Sequence, residues 1–332
     1  MSYITEIYLV ICFFIYFFYG IVNYYSSHNN YVYSFSGCHF LLLQILFNSI
    51  CLLNITSLDF NFILNSTLFK DSSILEIENL LLCISFIFIC TTFNTNFKIN
   101  YFEYYLIIFI SILATLFLIS SHNFILFFLL IEIQSVSLYV LAVFNRNDKS
   151  SIEATFKYFI IGSISSFLLL LFIVFLYGFI GLFSFFDLYF FLKIESYHYY
   201  FEISYLLCFL FLLISILFKM YAVPFHFWVA EIYQSSLILS TFFFSTFYFL
   251  LINFIFLKLY LYFFIQFQFY FKYIYFFFSV LSIIFSVLGA LNEFKLRKLI
   301  AYSSISCTGY FLGFFIINDL FFFNNGFKCN IP

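Results

Sequence analysis

The sequence predicts an all-α, polytopic transmembrane bundle of about ten spans, and three observations carry that reading. Hydrophobic residues fill 65% of the 332 positions and charged residues 8%, with a mean hydropathy of +1.11. So few charges cannot solvate the surface of an aqueous globule. Residues Ile7–Leu58 contain no Asp, Glu, Lys or Arg, and Tyr158–Phe186 and Ile232–Leu257 are also charge-free. Each of the latter two runs exceeds the ~20 helical residues that cross a hydrocarbon core of roughly 30 Å. Their apolar character is continuous, without the alternation of a membrane strand.

In chain order, the hydrophobic windows between polar interruptions predict spans over residues 4–22, 37–55, 74–93, 103–120, 122–144, 155–183, 203–223, 237–262, 270–291 and 299–322. The third is the least apolar at its start, where Glu76 and Glu78 sit. Basic residues fix an orientation: Lys98 follows span three, Arg146 and Lys149 follow span five, and Lys295, Arg297 and Lys298 follow span nine. These loops share one side when the spans are counted this way, which predicts the matrix or cytoplasmic face there and the N-terminus opposite. No Gly/Ser-rich or Pro-rich linker divides the chain, so residues 1–332 read as one membrane domain.

Composition also excludes functions. A net charge of −2 offers no basic surface for nucleic acid. The eight cysteines are scattered without a C-x-x-C pair, and read as small buried residues. There is no G-x-G-x-x-G after a strand, no P-loop and no H-E-x-x-H, so the chain is expected to bind neither nucleotide nor metal by itself. The first apolar run lacks a basic leader, which argues against a cleavable signal peptide. The excess of Phe (62) and Tyr (29) over Trp (1), Pro (2) and Gly (9) favours AT-rich codons, and suggests an AT-biased genome such as an organellar one.

The informative residues are ionisable groups inside the spans, each costing on the order of 3 kcal/mol to insert. Glu132 falls near the middle of span five and Lys219 deep in span seven. Pro224 cannot donate a backbone hydrogen bond and clashes with the carbonyl of Met220, so span seven should break beside the lysine. Broken backbone at membrane depth persists only where protein or a water-filled cavity satisfies it, and buried charges beside such breaks mark ion pathways. His226, two residues beyond the proline, titrates near neutrality. Lys157 opens span six, with Glu153 one turn earlier. A structural reading competes for each: Lys157 can snorkel to the interface, and Glu132 or Lys219 can simply hydrogen-bond a neighbouring helix. His28, His39, His122 and His198 read as interfacial or packing residues, and Glu6, Glu76, Glu78 and Glu103, near span ends, as needing no function.

Three blocks of the chain resemble a known family. Residues Asn123–Gly178, with FILFFLLIEIQSVSLYVLAVF and SSIEATFKYFIIGSISS, then FKMYAVPFHFWVAEIYQ (Phe218–Gln234) and LNEFKLRKLIAYSSISCTGY (Leu291–Tyr310), are similar to subunit 2 of the proton-pumping NADH:ubiquinone oxidoreductase, complex I. They occur in order and cover nearly half of the chain. The resemblance implies an antiporter-like bundle of paired inverted repeats with a broken seventh helix. Residues 1–100 would be an N-terminal three-helix segment, 101–262 the first repeat and 263–332 an incomplete second one. It implies a proton relay through Glu132, Lys157 and Lys219, to which His226 and Lys258 are added, with Pro224 as the structural break.

It further implies a multi-pass place in the mitochondrial inner membrane, among other membrane-arm subunits and lipids. NADH, FMN, iron–sulfur clusters and ubiquinone would be held elsewhere in the complex and no cofactor by this chain, a non-redox subunit of the oxidoreductase. Two positions depart from the family pattern: Phe249 stands where a helix-eight lysine is usual, the nearest basic residue being Lys258, and Cys307 where a helix-ten histidine is expected. The family's subunits have about fourteen spans, so a split gene is expected, with a second polypeptide supplying the remaining helices. The rival readings are an Mrp-type cation/proton antiporter subunit and a structural scaffold whose channel is lost.

Overall fold

A backbone in hydrocarbon has no hydrogen-bond partner but itself, so long runs of Phe, Leu and Ile close into helices. The computed structural model describes residues 4–27, 34–55, 61–63, 67–94, 102–144, 148–195 and 199–325. Its helices are α1 (Ile4–Ser27), α2 (Ser34–Ile55), α3 (Ser72–Asn94), α4 (Phe102–Ser120), α5 (Phe124–Ala142), α6 (Lys149–Ile180), α7 (Phe185–Glu195), α8 (Tyr199–Lys219), α9 (Phe227–Ser235), α10 (Ile238–Phe243), α11 (Phe249–Leu259), α12 (Gln268–Leu291) and α13 (Leu296–Asn325). Two π-helical segments, Phe244–Tyr248 and Tyr260–Phe264, interrupt the eighth predicted span around α11. Among the described residues, eight helical stretches are long and apolar enough to cross a membrane. Two shorter apolar helices, Phe40–Asn54 and Ser204–Lys219, stand where the second and seventh spans are predicted. The chain is a multi-pass membrane protein.

Two features differ from the sequence expectation. A two-stranded antiparallel hairpin, β1 (Asn61–Ile63) with β2 (Leu68–Lys70), precedes α3. Helix α7 follows span six, nucleated by Ser184, whose hydroxyl reaches the Asp187 carboxylate and accepts the Asp187 amide at 3.3 Å. The break in span seven falls beside the lysine, as the proline predicts: α8 ends at Lys219, Tyr221 has φ 66°, the Val223–Pro224 bond is cis, and the helix restarts at Phe227.

Inside the bundle, hydroxyls satisfy themselves on the preceding turn. Ser111 donates to the Ile108 carbonyl (2.6 Å), Thr115 to Ile112 (2.6 Å) and Ser215 to Leu212 (2.7 Å). Lipid is as apolar as leucine, so packing rather than water exclusion holds the helices together. Aromatic rings supply much of that contact: Phe124 meets Phe172 at 4.9 Å, Phe185 at 4.4 Å and Phe263 at 5.3 Å, tying α5 to α6, α7 and the second π segment. Gly309 of α13 lets α12 approach, since a Cβ there would lie 2.3 Å from Ser282 Oγ.

The ends of the bundle are distinct. On the face where α1 starts, the His122 amide donates to the Thr67 carbonyl (2.8 Å) and the Phe185 amide to the His122 carbonyl (2.9 Å), sealing β2, the α4–α5 turn and the α6–α7 connection together. On the opposite face, Arg297 Nη1 donates to the Ser236 carbonyl at 2.7 Å, joining the start of α13 to the α9–α10 turn. Lys149, Lys295, Arg297 and Lys298 belong to connections on that second face, as the charge distribution predicts; Lys98 and Arg146 lie outside the described residues.

Candidate functional site

The backbone break gives Lys219 its setting. It is the last residue of α8, 7% exposed, and among the described residues it forms no ion pair. The carboxylate whose field reaches it is Glu132 of α5. Glu132 is half-buried, and its Oε1 is shielded from solvent without a hydrogen-bond partner. Lys219 and Glu132 therefore stand farther apart than the 4 Å of an ion pair.

Beside Lys219 lies a void of about 10 Å3, lined by Ser135, Tyr139, Tyr158, Gly162, Ser165, Trp228 and Tyr248 among others. That is the lower limit of room for one water molecule. Its lining is largely apolar, with Ile161 and Phe218 among the walls, but polar groups enter it from several elements: Ser135 and Tyr139 of α5, Tyr158 and Ser165 of α6, and Tyr248 of the first π segment. Gly162 is needed there, because a Cβ would lie 1.8 Å from the Tyr139 hydroxyl. Trp228 of α9 stacks on Tyr158 at 4.5 Å with 12° between planes and meets Tyr221 at 5.0 Å, so the restarted helix closes the void. A lysine held apart from its counter-ion beside space for water can exchange a proton at little geometric cost.

Lys157 and His226 stand outside this centre. Lys157 Nζ donates to Glu231 Oε2 at 2.6 Å and lies 3.1 Å from Glu153 Oε1, with its side chain 45% exposed. His226 is half-buried at the start of α9, its ring 4.5 Å from Phe227 and 6.1 Å from Phe285, and its Nδ1 has no hydrogen-bond partner.

Residues 121–322 match the family described as NADH:quinone oxidoreductase/Mrp antiporter, TM. The chain belongs to that family. It is 33% identical over 255 residues to NADH-quinone oxidoreductase subunit N of Pelagibacter ubique, covering 75% of this chain and 53% of the relative. It is also 33% identical over 231 residues to NADH-ubiquinone oxidoreductase chain 2 of Marchantia polymorpha, covering 67% and 46%. The chain thus spans about half the length of the curated relatives it matches. Among solved structures, a chain of respiratory complex I from Thermus thermophilus with bound aureothin superposes with a TM-score of 0.73 at 21% identity, over 92% of this chain and 63% of that one. A chain of the membrane-bound sulfane sulfur reductase, an archaeal respiratory membrane complex, does so with 0.75 at 18%, with the same coverage. At these identities the two superpositions establish the antiporter-like fold.

Within this antiporter-like fold, Lys258 does not join Lys219. Its Nζ donates to the carbonyls of Ile119 (2.6 Å) and Ser121 and sits 5.4 Å from the Phe185 ring centre, at the face where α1 begins. Phe249, half-buried, opens α11 next to the π segment that brings Tyr248 to the void. Cys307 is exposed on α13.

Several residues were missed by sequence reasoning. Glu231 lies in an otherwise apolar stretch, a signal that could have marked it as the partner of Lys157. Glu6 and Glu78, expected near span ends without a function, are 2% and 1% exposed and both pair with Lys70, itself 1% exposed. His122 fits the packing reading: it is fully buried, stacked on Phe186 at 4.7 Å, edge-on to Phe69 at 4.9 Å, and neither ring nitrogen has a hydrogen-bond partner. Burial, then the nearby Lys258 charge, pushes its pKa down to about 2, so it stays neutral.

Proposed function

We propose that the chain is a proton-translocating membrane-arm subunit of a complex I-type NADH:quinone oxidoreductase in the mitochondrial inner membrane. The carrying observation is the buried Lys219, separated from Glu132 and bordered at a helix break by a water-sized void into which serine and tyrosine hydroxyls are set. In this reading a proton arriving at the void is taken by Lys219. The Glu132 carboxylate stabilises the charged lysine, and a change in their separation releases the proton again. Lys157 with Glu231, and His226 at the start of α9, would connect this centre to the face carrying the basic connections. Lys258 would serve the opposite face.

The chain itself would perform no redox step; NADH, FMN, iron–sulfur clusters and quinone would be held by partner subunits. Residues 101–262 and 263–332 would correspond to the two antiporter repeats, behind the three-helix segment 1–100. The relatives' names, which pair bacterial subunit N with mitochondrial chain 2, support this reading.

The test is Lys219→Ala in the assembled complex, with NADH oxidation and proton release measured on the same vesicles. A lowered proton-to-electron ratio supports the reading. An unchanged ratio sinks it in favour of a scaffold, which the phenylalanine at position 249 favours. The family also embraces Mrp antiporters; cation-driven proton exchange in vesicles lacking respiratory subunits would assign the chain to that class instead. Mass spectrometry of the active complex reads whether the remaining length of the relatives lies on this polypeptide or, as a split gene predicts, on a second one.

A further inference from the structure

A second group of ionisable side chains is buried at the face where α1 begins, away from Lys219. Lys70, at the end of β2, pairs with Glu6 Oε1 of α1 and donates to Glu78 Oε2 of α3 at 2.7 Å. All three are buried. Both Glu6 oxygens have a neighbour, Oε1 the Lys70 ammonium as an ion pair and Oε2 the Thr5 hydroxyl at 3.0 Å. Glu78 Oε1, by contrast, is sealed from solvent with no hydrogen-bond partner. Two carboxylates share one ammonium, and an uncompensated buried charge is removed by taking a proton rather than by persisting.

The neighbours decide where that proton sits. Lys258, from α11, is the further cation beside this group: its Nζ donates to the Ser121 carbonyl, and Ser121 bridges to Leu68 of β2, two residues before Lys70. Lys258 and Glu78 do not form an ion pair. His122, packed on Phe185 and Phe186 of α7, is kept neutral by burial. Asp71, next to Lys70, is itself partly buried with Oδ1 unpartnered, and burial raises its pKa; the facing hydroxyl is that of Tyr262.

We propose that Glu78 is a second proton-holding group of this subunit, exchanging one proton with Lys258. In one state Glu78 carries the proton on Oε1 and Lys258 is neutral; in the other Glu78 is anionic and Lys258 cationic. Lys70 and Glu6 cancel throughout, so the cluster's net charge is the same in both states and only one proton has moved. Equal net charge is what lets two such states lie close in free energy inside a low-dielectric region. The three N-terminal helices thereby contribute a titrating residue, Glu78 of α3, in addition to Glu132 of α5, Lys219 of α8 and Lys258 of α11. Its use in transport rests on the proposed pumping role; its protonation does not.

Infrared spectra of the assembled complex, taken as H2O-minus-D2O differences at matched pH, test this directly. Wild type should show the carbonyl band of a protonated carboxylic acid that shifts in D2O and is absent in Glu78→Gln. That variant keeps the size of the side chain and its acceptor for Lys70. The exposed Glu76→Gln should leave the band in place. Lys258→Met should hold the band at every pH, and Lys258→Arg, which cannot give up its proton, should abolish it near neutrality. If wild type and Glu78→Gln spectra are identical, or if the band ignores both Lys258 variants, the proposal is overturned. Either outcome is independent of the proton-to-electron ratio of Lys219→Ala, so failure here is distinct from failure of the pumping role.

Discussion

Lys157 Nζ and Glu231 Oε2 meet at 2.6 Å, joining α6 to the restarted helix α9 across 74 positions of sequence. The pair is half-exposed, and Glu153 offers the same ammonium a second carboxylate at 3.1 Å one turn away. Exposed pairs of this kind add little to stability. Glu231→Gln should therefore leave assembly of the complex unchanged on native electrophoresis, with Lys157 held by Glu153. Only Glu153→Gln combined with Glu231→Gln frees the lysine. If Lys157 feeds the Lys219 centre, that double variant lowers proton release per NADH while either single variant does so less.

Close approach of Tyr139 to α6 depends on the absence of a side chain at position 162. A Cβ there would meet the hydroxyl at 1.8 Å and the ring carbon bearing it at 2.8 Å. Gly162→Ala should push the tyrosine from the void and cost about 1–3 kcal/mol, the usual range for overpacking. Thermal unfolding of the detergent-solubilised complex reads the loss. Adding Tyr139→Phe removes the closest atom and should restore part of it. No recovery in the double variant would mean that Tyr139 is not what the methyl group meets.

How much of this was legible in the sequence follows from the range of the forces involved. The spans were readable because a run such as Tyr158–Phe186 declares its helix locally, and Pro224 announced a break because its ring acts on the carbonyl four residues back. The same steric rule explains why α8 stops at Lys219 rather than at the proline. By contrast, the pairing of Glu6 with Lys70 is set by packing of α1 against the hairpin. Sequence position alone makes each look interfacial. The π segments flanking α11 carry no composition signal, yet one of them places Tyr248 beside Lys219. Lys258 joins the expected relay as the basic residue nearest Phe249, and only the fold shows that its ammonium reaches the Ile119 and Ser121 carbonyls.

Lys219 separates stability from function. A buried ammonium without a close counter-ion is desolvated and poorly repaid, so an apolar residue of similar length should fit at least as well. Lys219→Met is expected to melt at or above the wild-type temperature while the proton-to-electron ratio falls. A structural lysine would show the reverse, a lower melting temperature with the ratio intact.

His122 gives the protein an acid sensitivity whose sign can be worked out. Its pKa falls from 6.5 to about 2 on folding, chiefly through burial among Phe69, Phe185, Phe186 and Tyr262. Below pH 6.5 the unfolded chain binds a proton there that the folded chain refuses. The unfolded state gains on acidification, and stability declines as the pH falls from 6.5 toward 2. His122→Phe keeps a flat ring to stack on Phe186 and removes two ring nitrogens that lack hydrogen-bond partners. It should be neutral or stabilising by about 1–3 kcal/mol at neutral pH, since buried unsatisfied polar atoms cost that much. Its advantage over wild type should then widen as the pH is lowered from 7 to 5. Melting curves of the two proteins at matched pH values measure that difference, and parallel declines would show that another group carries the acid sensitivity.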